Sequence, residues 1–193
     1  MQEIATYRLT TPDREARRLP PDAPADDKPY IRLANPIASD RTVLRHSLLS
    51  SLLEVVERNA RLRDRIAMFE IGPVYLATEE GNLPEEPLYL AIVLTGPRHL
   101  PAWQGADLAP MDFYDLKGIL AGLFEGLHLG EVRWEPTAHP TFHPGKCARA
   151  LLGERQIAVM GELHPLVANR YEFPATPVLA AEVNVEAILK EIP

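Results

Sequence analysis

The chain has 193 residues, 46% hydrophobic and 24% charged, a balance typical of a globular domain that can bury a sizeable core. Its formal net charge of −7 argues against a protein that coats nucleic acid, because phosphate binding needs a basic surface. The single cysteine, Cys147, excludes an internal disulfide and a cysteine-rich zinc site, and it fits a reducing compartment.

The first 29 residues differ in composition from the rest of the chain. Residues 2–10 are rich in residues that favour strands, and they predict a short strand. Residues 11–29 contain five prolines and almost no apolar side chains. This predicts a loop or a partly disordered segment, because such a composition buries too little surface to offset its ordering entropy. We therefore treat residues 1–193 as one domain, in which residues 1–29 precede the core.

The clearest helix is predicted over residues 51–62. Ser51 and Glu54 have the spacing of a capping box, in which each side chain accepts a hydrogen bond from the other's backbone N–H. Apolar side chains cover half of the helical wheel, so the helix either lies deep in its own core or also faces another protein chain. The helical frame breaks upstream, which predicts a turn or an extended piece over residues 41–47. The candidates for a partner interface are Leu48, Leu52, Leu53, Val55, Val56, Asn59 and Ala60.

Two strands and a long loop are predicted next. Residues 66–75 predict a strand with a bulge or bend at Gly72-Pro73. The apolar run 88–95 is typical of a strand that is buried on both faces. Residues 96–111 are rich in proline and glycine, and they predict a loop.

A second helix is predicted over residues 113–129, with Gly130 as its C-terminal cap. Three glycines stand at four-residue steps along one flank of this helix, and each costs roughly 1 kcal/mol relative to alanine. The stripe either admits a closely packed backbone or has no role, and both interpretations stay open. Its members are Gly118, Gly122 and Gly126.

The last third of the chain predicts four strands and two short helices. The strands are predicted over residues 132–135, 147–152, 156–163 and 178–184, and the helices over residues 165–171 and 185–191. Gly153-Glu154 joins the second and third of these strands in a predicted hairpin. The whole chain lacks the regular βαβ alternation of a parallel sheet, so we expect an α+β fold with a mainly antiparallel sheet.

Two histidines, His139 and His143, stand four residues apart. On a helix this spacing would place both imidazoles on one face for zinc, but Pro140 and Pro144 exclude a regular helix. We expect a rigid loop in which the histidines bond to backbone groups. A metal site or a contact with a ligand or RNA is the alternative.

Asp112 and Asp115 stand at the start of the second predicted helix. Acidic residues there cap free amides and complement the helix dipole, and a carboxylate pair for magnesium or acid–base chemistry is the alternative. Lys117 lies one turn further on, where it either pairs with an aspartate or lies over the sheet. No phosphate-binding glycine loop and no nucleophile elbow is present, so the residues assemble no active site.

A local basic segment covers residues 41–65, with six arginines against three acidic residues. Its arginines form either a solvated helix face, with pairs such as Glu54–Arg58 and Glu57–Arg61, or a surface for RNA or an acidic partner.

Five blocks together resemble one family. They are Asn-Pro-Ile-Ala-Ser-Asp-Arg-Thr-Val-Leu-Arg-His-Ser-Leu-Leu at 35–49, Met-Phe-Glu-Ile-Gly at 68–72, Asp-Phe-Tyr-Asp-Leu-Lys-Gly at 112–118, His-Pro-Thr-Phe-His-Pro-Gly at 139–145 and Gly-Glu-Leu-His-Pro at 161–165. In this order and spacing they resemble the C-terminal catalytic-like module of the bacterial phenylalanyl-tRNA synthetase beta subunit. The motif residues carried over are Asp112, Asp115, Lys117, His139, His143, Glu162 and His164.

The resemblance implies the class II aminoacyl-tRNA synthetase fold, an antiparallel sheet flanked by helices. It also implies a cytoplasmic heterotetramer of two alpha and two beta subunits, in which alpha activates phenylalanine with ATP and magnesium and transfers it to tRNA. A module of this kind packs against alpha and binds no cofactor or metal itself, has no catalytic residue, and touches tRNA little. We expect that interface on the helix at 51–62, although Ser50-Ser51 departs from the family's usual Pro-Gly. Whether the isolated domain self-associates stays open.

Two other functions remain as hypotheses. One is a small metal-dependent enzyme that uses the His139/His143 and Asp112/Asp115 clusters. The other is an RNA-binding module that uses the arginines of residues 41–65.

Overall fold

The computed structural model describes residues 1–24, 28–78 and 83–192. The described strands are β1 (Gln2–Glu3), β2 (Leu9–Thr10), β3 (Val43–Leu44), β4 (Ile66–Pro73), β5 (Leu88–Thr95), β6 (Val132–Pro136), β7 (Phe142–Leu152), β8 (Arg155–Leu163) and β9 (Val178–Asn184). The described helices are α1 (Pro12–Ala16), α2 (Leu49–Ala60), α3 (Phe113–Gly126), α4 (Pro165–Ala168) and α5 (Val185–Leu189). Seven strands form one sheet in the order β1-β4-β5-β9-β8-β7-β6, and β2 pairs with β3 in a separate ribbon.

Neighbouring strands of the sheet are antiparallel, apart from the parallel pair of β1 with β4. The predicted α+β fold, with a mainly antiparallel sheet flanked by helices, is confirmed. Among the described helices, none has the length and apolar character needed to cross a membrane.

The sheet carries a hydrophobic core on each face. α2 packs on one face, where Ala91 and Val93 of β5 belong to its core. α3 and α5 pack on the other face, in a core that contains Leu90, Ile92 and Leu94 of the same strand. Successive side chains of a strand point to opposite faces, so β5 contributes to both cores. This confirms the strand that the apolar run predicts and explains why the run is unbroken.

α2 begins at Leu49 rather than at residue 51, and the predicted capping box is wrong. Ser51 lies inside the helix. Instead, Ser47 Oγ accepts a hydrogen bond from the backbone N–H of Leu49 at 3.0 Å. The Glu182 carboxylate of β9 accepts one from the backbone N–H of Leu48 at 2.9 Å. The helix start is therefore fixed partly by a strand that lies 134 residues further along the chain.

The first ten residues form two short strands instead of the single predicted strand. β1 extends the sheet beside β4, whereas β2 pairs with β3 in the ribbon. β3 confirms the extended piece that the broken helical frame predicts over residues 41–47.

The predicted loop at 11–29 contains α1, which the sequence does not predict. α1 lies against α2, where Arg14 binds the Glu54 carboxylate and Arg17 binds that of Glu57. These pairs join residues 40 positions apart, so the composition of the segment gives no sign of them. Residues 25–27 of the predicted loop lie outside the described residues.

α3 ends before the predicted cap. His128, with φ of 54°, takes the left-handed turn that the sequence assigns to Gly130. The turn is closed by a hydrogen bond from the backbone N–H of Leu129 to the Phe124 carbonyl at 3.1 Å. Leu129 also packs partly buried against the α3 core, and such an apolar contact commonly fixes a helix end. A Cβ added to any glycine of the predicted stripe meets nothing within 4 Å.

The remaining predicted strands and helices agree closely with the structure, with three differences in detail. β4 pairs with β5 in unbroken register as far as Pro73, so the bulge predicted there is absent. The β7–β8 hairpin is confirmed, with Gly153 at φ of 61° in its turn, but β7 starts five residues earlier than predicted, at Phe142 rather than at Cys147. α4 and α5 are shorter than predicted.

Candidate functional site

The helix face predicted to meet a partner is buried within the chain itself. Leu48, Leu52, Leu53 and Val56 have no exposed surface and belong to the core beneath α2. The other three candidates, Val55, Asn59 and Ala60, are partly buried. The apolar arc is wide because α2 lies between the sheet and two further segments, α1 and the stretch around Tyr171. The four fully buried side chains therefore cannot contact another protein, whereas Val55, Asn59 and Ala60 stay candidates for a partner interface.

The basic segment is largely engaged within the fold. Arg45 is 1% exposed, and its guanidinium donates hydrogen bonds to Glu70 Oε1 at 2.8 Å and to Thr6 Oγ1 at 2.9 Å. Gly72 makes room for this side chain, because a Cβ there would lie 2.6 Å from Arg45 Nη2. Arg61 pairs with Glu172. These contacts leave Arg45 unavailable to RNA.

The helix pairs expected in that segment are replaced by contacts with α1. Glu54 and Glu57, which the sequence pairs with arginines one turn further on, bind Arg14 and Arg17 instead. An ion pair across two helices buries part of both side chains, whereas a pair along one exposed helix face stays in water.

Asp112 and Asp115 cap the start of α3. The Asp112 carboxylate accepts hydrogen bonds from the backbone N–H groups of Tyr114 at 2.8 Å and Asp115 at 3.3 Å. The Asp115 carboxylate accepts one from the N–H of Asp112 at 2.7 Å, which completes a capping box. Arg98 binds both carboxylates, at 2.6 Å and 2.9 Å. The capping interpretation is confirmed. Lys117 lies over the Trp134 ring of β6, with its Nζ 5.5 Å from the ring centroid.

The motif histidines stabilise turns that begin with His-Pro. His139 Nδ1 accepts a hydrogen bond from the backbone N–H two residues on at 3.3 Å, and His143 Nδ1 does the same at 3.0 Å. His164 repeats the arrangement at 3.1 Å. The intervening proline has no N–H, so the next residue supplies the donor. The predicted bonding of the histidines to backbone groups is confirmed, but His143 lies in β7 and not in a loop.

Burial lowers the pKa of His139 to about 4. Its imidazole is therefore neutral near pH 7, as an accepting Nδ1 requires. In the described part of the chain, no three His, Cys, Asp or Glu side chains come together as a group that could hold a metal ion.

A cleft of about 490 Å³ lies between the start of α3 and strands β6, β7 and β8. It brings together Asp112 and Lys117 from one motif block and Glu162 from another, while Asp115 and the three motif histidines lie outside its lining. Lys146 Nζ binds Glu162 Oε2 at 2.6 Å across one wall. The aromatic part of the lining comprises Phe113, Tyr114 and Trp134.

The side chains that line the cleft supply few groups for catalysis. Its described lining holds three carboxylates, Asp112, Glu135 and Glu162, against two lysines, and no arginine. Burial raises the pKa of the Cys147 thiol to about 11, so the thiol stays protonated and is a poor nucleophile near pH 7.

Comparison with known families identifies the domain. The sequence model of the family described as "Phenylalanyl tRNA synthetase beta chain CLM domain" matches residues 1–185. The chain belongs to this family. A CLM domain is what the five sequence blocks predict.

Curated relatives of this CLM domain are named phenylalanine–tRNA ligase beta subunit. The chain is 38% identical over 182 residues to that of Symbiobacterium thermophilum, which covers 93% of this chain and 20% of the relative. It is 42% identical over 178 residues to that of Geobacillus kaustophilus, and the aligned region covers 91% of this chain and 21% of that relative. The chain thus spans about a fifth of the length of these relatives.

Solved structures show the fold of this CLM domain. Two structures of pyrrolysyl-tRNA synthetase from Desulfitobacterium hafniense superpose with TM-scores of 0.70 and 0.72, at 18% and 15% sequence identity. Each superposition covers 98% of this chain and 62% of the other chain. The predicted class II synthetase fold is confirmed.

Three residues of this CLM domain have surroundings that the sequence does not predict. Glu15 is fully buried, Arg98 binds three aspartates, and Trp103 is 91% exposed. A tryptophan within a loop rich in proline and glycine is a signal for Trp103 that the sequence contains. The sequence does not mark Glu15 or Arg98, because the environment of Glu15 depends on remote residues such as Glu182, and Arg98 binds aspartates 9 to 17 residues further along.

Proposed function

We propose that this CLM domain is a non-catalytic structural module of a phenylalanine–tRNA ligase beta subunit. In this proposal it supports a catalytic alpha subunit during aminoacylation of tRNA with phenylalanine, in the cytoplasm. Family membership and the names of the curated relatives support the assignment to this ligase.

The charge of the cleft carries the non-catalytic part of the proposal. The triphosphate of ATP is strongly anionic and is bound by cations, above all by arginine. The described lining has an excess of one carboxylate, and Lys146 is already paired with Glu162. Arg98 and Arg149 bind the other two carboxylates, Asp112 and Glu135, from outside this lining. The described lining therefore offers a triphosphate Lys117 and no arginine, which is too little positive charge to hold it, so we assign ATP and magnesium to the alpha subunit.

The partners proposed are the alpha subunit, in a heterotetramer of two alpha and two beta subunits, and tRNA bound mainly by other parts of the ligase. The net charge of −7 and the internal pairing of Arg45 and Arg61 support a small role in tRNA binding.

Two measurements test the proposed function. The purified chain is assayed for phenylalanine-dependent exchange of pyrophosphate into ATP, and we expect no activity above a blank without protein. It is then mixed with purified alpha subunit and examined by sedimentation velocity, where we expect a complex. Exchange activity of the chain alone would refute the non-catalytic role, and the absence of a complex would refute the assembly role.

A further inference from the structure

Residues 97–110 form a projecting loop, which we call the Trp103 finger. Its two ends form a β-bridge, and the backbone N–H groups of Arg98 and His99 donate hydrogen bonds across its base at 2.9 Å and 3.1 Å. At the tip, Gly105 has φ of 84°, a conformation that favours glycine, and its N–H bonds to the Ala102 carbonyl at 3.0 Å. The finger therefore has a defined backbone.

Arg98 fastens the finger to α3. Its guanidinium lies 3.4 Å from the Asp107 carboxylate within the finger, 2.6 Å from that of Asp112 and 2.9 Å from that of Asp115. A loop that is ordered before binding loses little conformational entropy when it docks. The finger is thus preorganised to present its tip.

Several large apolar side chains of the finger and its surroundings are exposed. Trp103 is 91% exposed, and Leu100 and Leu108 of the same finger are 59% and 55% exposed. Tyr114, in the first turn of the adjoining α3, is 74% exposed. Tryptophan and tyrosine are enriched among the residues that dominate binding energy at protein interfaces, and clustered exposed apolar side chains mark such interfaces.

The base of the finger is acidic. Three aspartates surround the single guanidinium of Arg98, which leaves a formal charge of −2 beside the apolar tip. A complementary surface has an apolar pocket for the indole and a rim of lysine or arginine side chains. Nucleic acid, with its anionic backbone, is disfavoured by the same charge.

We propose that the Trp103 finger docks into an apolar pocket on the alpha subunit, and that lysine or arginine side chains border this pocket. The inference rests on the proposed function, which makes alpha the partner. The alpha subunit then contacts this chain at the finger instead of at the apolar face of α2, whose central side chains are wholly buried in this chain.

The test is a titration of the full 193-residue chain with purified alpha subunit, in which isothermal titration calorimetry measures the Kd. We expect Trp103→Ala to weaken the Kd at least about 30-fold, the loss that corresponds to a hot-spot side chain worth about 2 kcal/mol. Trp103→Phe retains an aromatic ring and is expected to lose less. Leu62→Ala, at a position outside the finger that is 83% exposed, is the control and should leave the Kd unchanged.

The fold of each variant and the salt dependence of binding are measured as well. Circular dichroism should show the same fold for all variants, because these side chains contact little of the core. Binding of the unaltered chain should weaken as salt rises from 50 to 300 mM if a basic rim faces the aspartates. Binding by the unaltered chain that Trp103→Ala leaves intact would overturn the finger alone. No binding by the unaltered chain would overturn the proposed function, and self-association that depends on Trp103 would assign the finger to a second copy instead.

Discussion

Replacing Glu15 of α1 by glutamine tests the free-energy cost of burying its carboxyl group. The side chain of Glu15 has no exposed surface, and nearby Ser50 and the backbone of His46 only partly offset the cost of burying its carboxylate. Its nearest ionic partner is Arg18, whose Nε lies 3.9 Å from Oε2. Burial raises the pKa of Glu15 to about 7 from its ordinary 4.5, with the attraction of Arg18 opposing and the charge of Glu182 adding to the shift.

The sign and size of the effect follow from linkage. Between pH 4.5 and about 7 the folded chain keeps a proton on Glu15 that the unfolded chain releases, so the free energy of unfolding falls as the pH rises through this window. A shift of about 2.5 pKa units corresponds to about 3 kcal/mol at 1.36 kcal/mol per unit. Glutamine is similar in shape and carries no charge. Glu15→Gln should therefore be about 3 kcal/mol more stable relative to the unaltered chain at pH 8 than at pH 4.5.

The assay is urea unfolding of the 193-residue chain at several pH values from 4.5 to 8.5, followed by circular dichroism. Any packing penalty of the amide shifts all points equally, so the pH-dependent difference between the two proteins isolates the ionisation of Glu15. Asp13→Asn, at an exposed position of the same helix, is the control and should leave the curve unchanged. A difference between Glu15→Gln and the unaltered chain that stays constant with pH would refute the reasoning.

Three further predictions concern the core, the helix and the histidine turns. Glu70→Gln leaves Arg45 buried without its counter-charge and should cost about 3–5 kcal/mol of unfolding free energy in urea. Alanine at all three stripe glycines should stabilise the chain by roughly 2–3 kcal/mol. Gly161→Ala should instead destabilise it, because the added Cβ would lie 2.6 Å from the Lys146 carbonyl. Equal effects of the two changes on the temperature of thermal unfolding would contradict this prediction. The lowered pKa of His139 means that the unfolded state binds its proton first, so stability should fall as the pH drops from 6.5 to about 4, and His139→Gln should flatten this part of the urea profile.

Several features of this chain follow from short stretches of sequence. The capping box of α3 joins positions three apart, the His-Pro turns join positions two apart, and Gly153 closes a two-residue turn between β7 and β8. In each case both partners lie within a few residues, so the local pattern already contains the whole interaction. The five blocks that indicate the family are equally explicit in the sequence.

Other features are set only by tertiary structure. The sequence shows a helix with an apolar arc half a turn wide, but whether that arc meets the same chain or another one depends on what packs beside it. α1 packs there because Arg17 reaches the Arg170 carbonyl 153 residues away and Arg14 reaches Glu54 40 residues away. The cleft likewise gathers residues from α3 and three strands.

The sequence by itself determined most of the strands and helices, the antiparallel α+β class and the family, because periodicity, capping and turn chemistry act between near neighbours. The tertiary structure decided what covers the apolar face of α2, where Glu15 and Arg45 lie, and that Trp103 is exposed. Burial and charge pairing depend on segments brought together only by folding, and no local pattern encodes them.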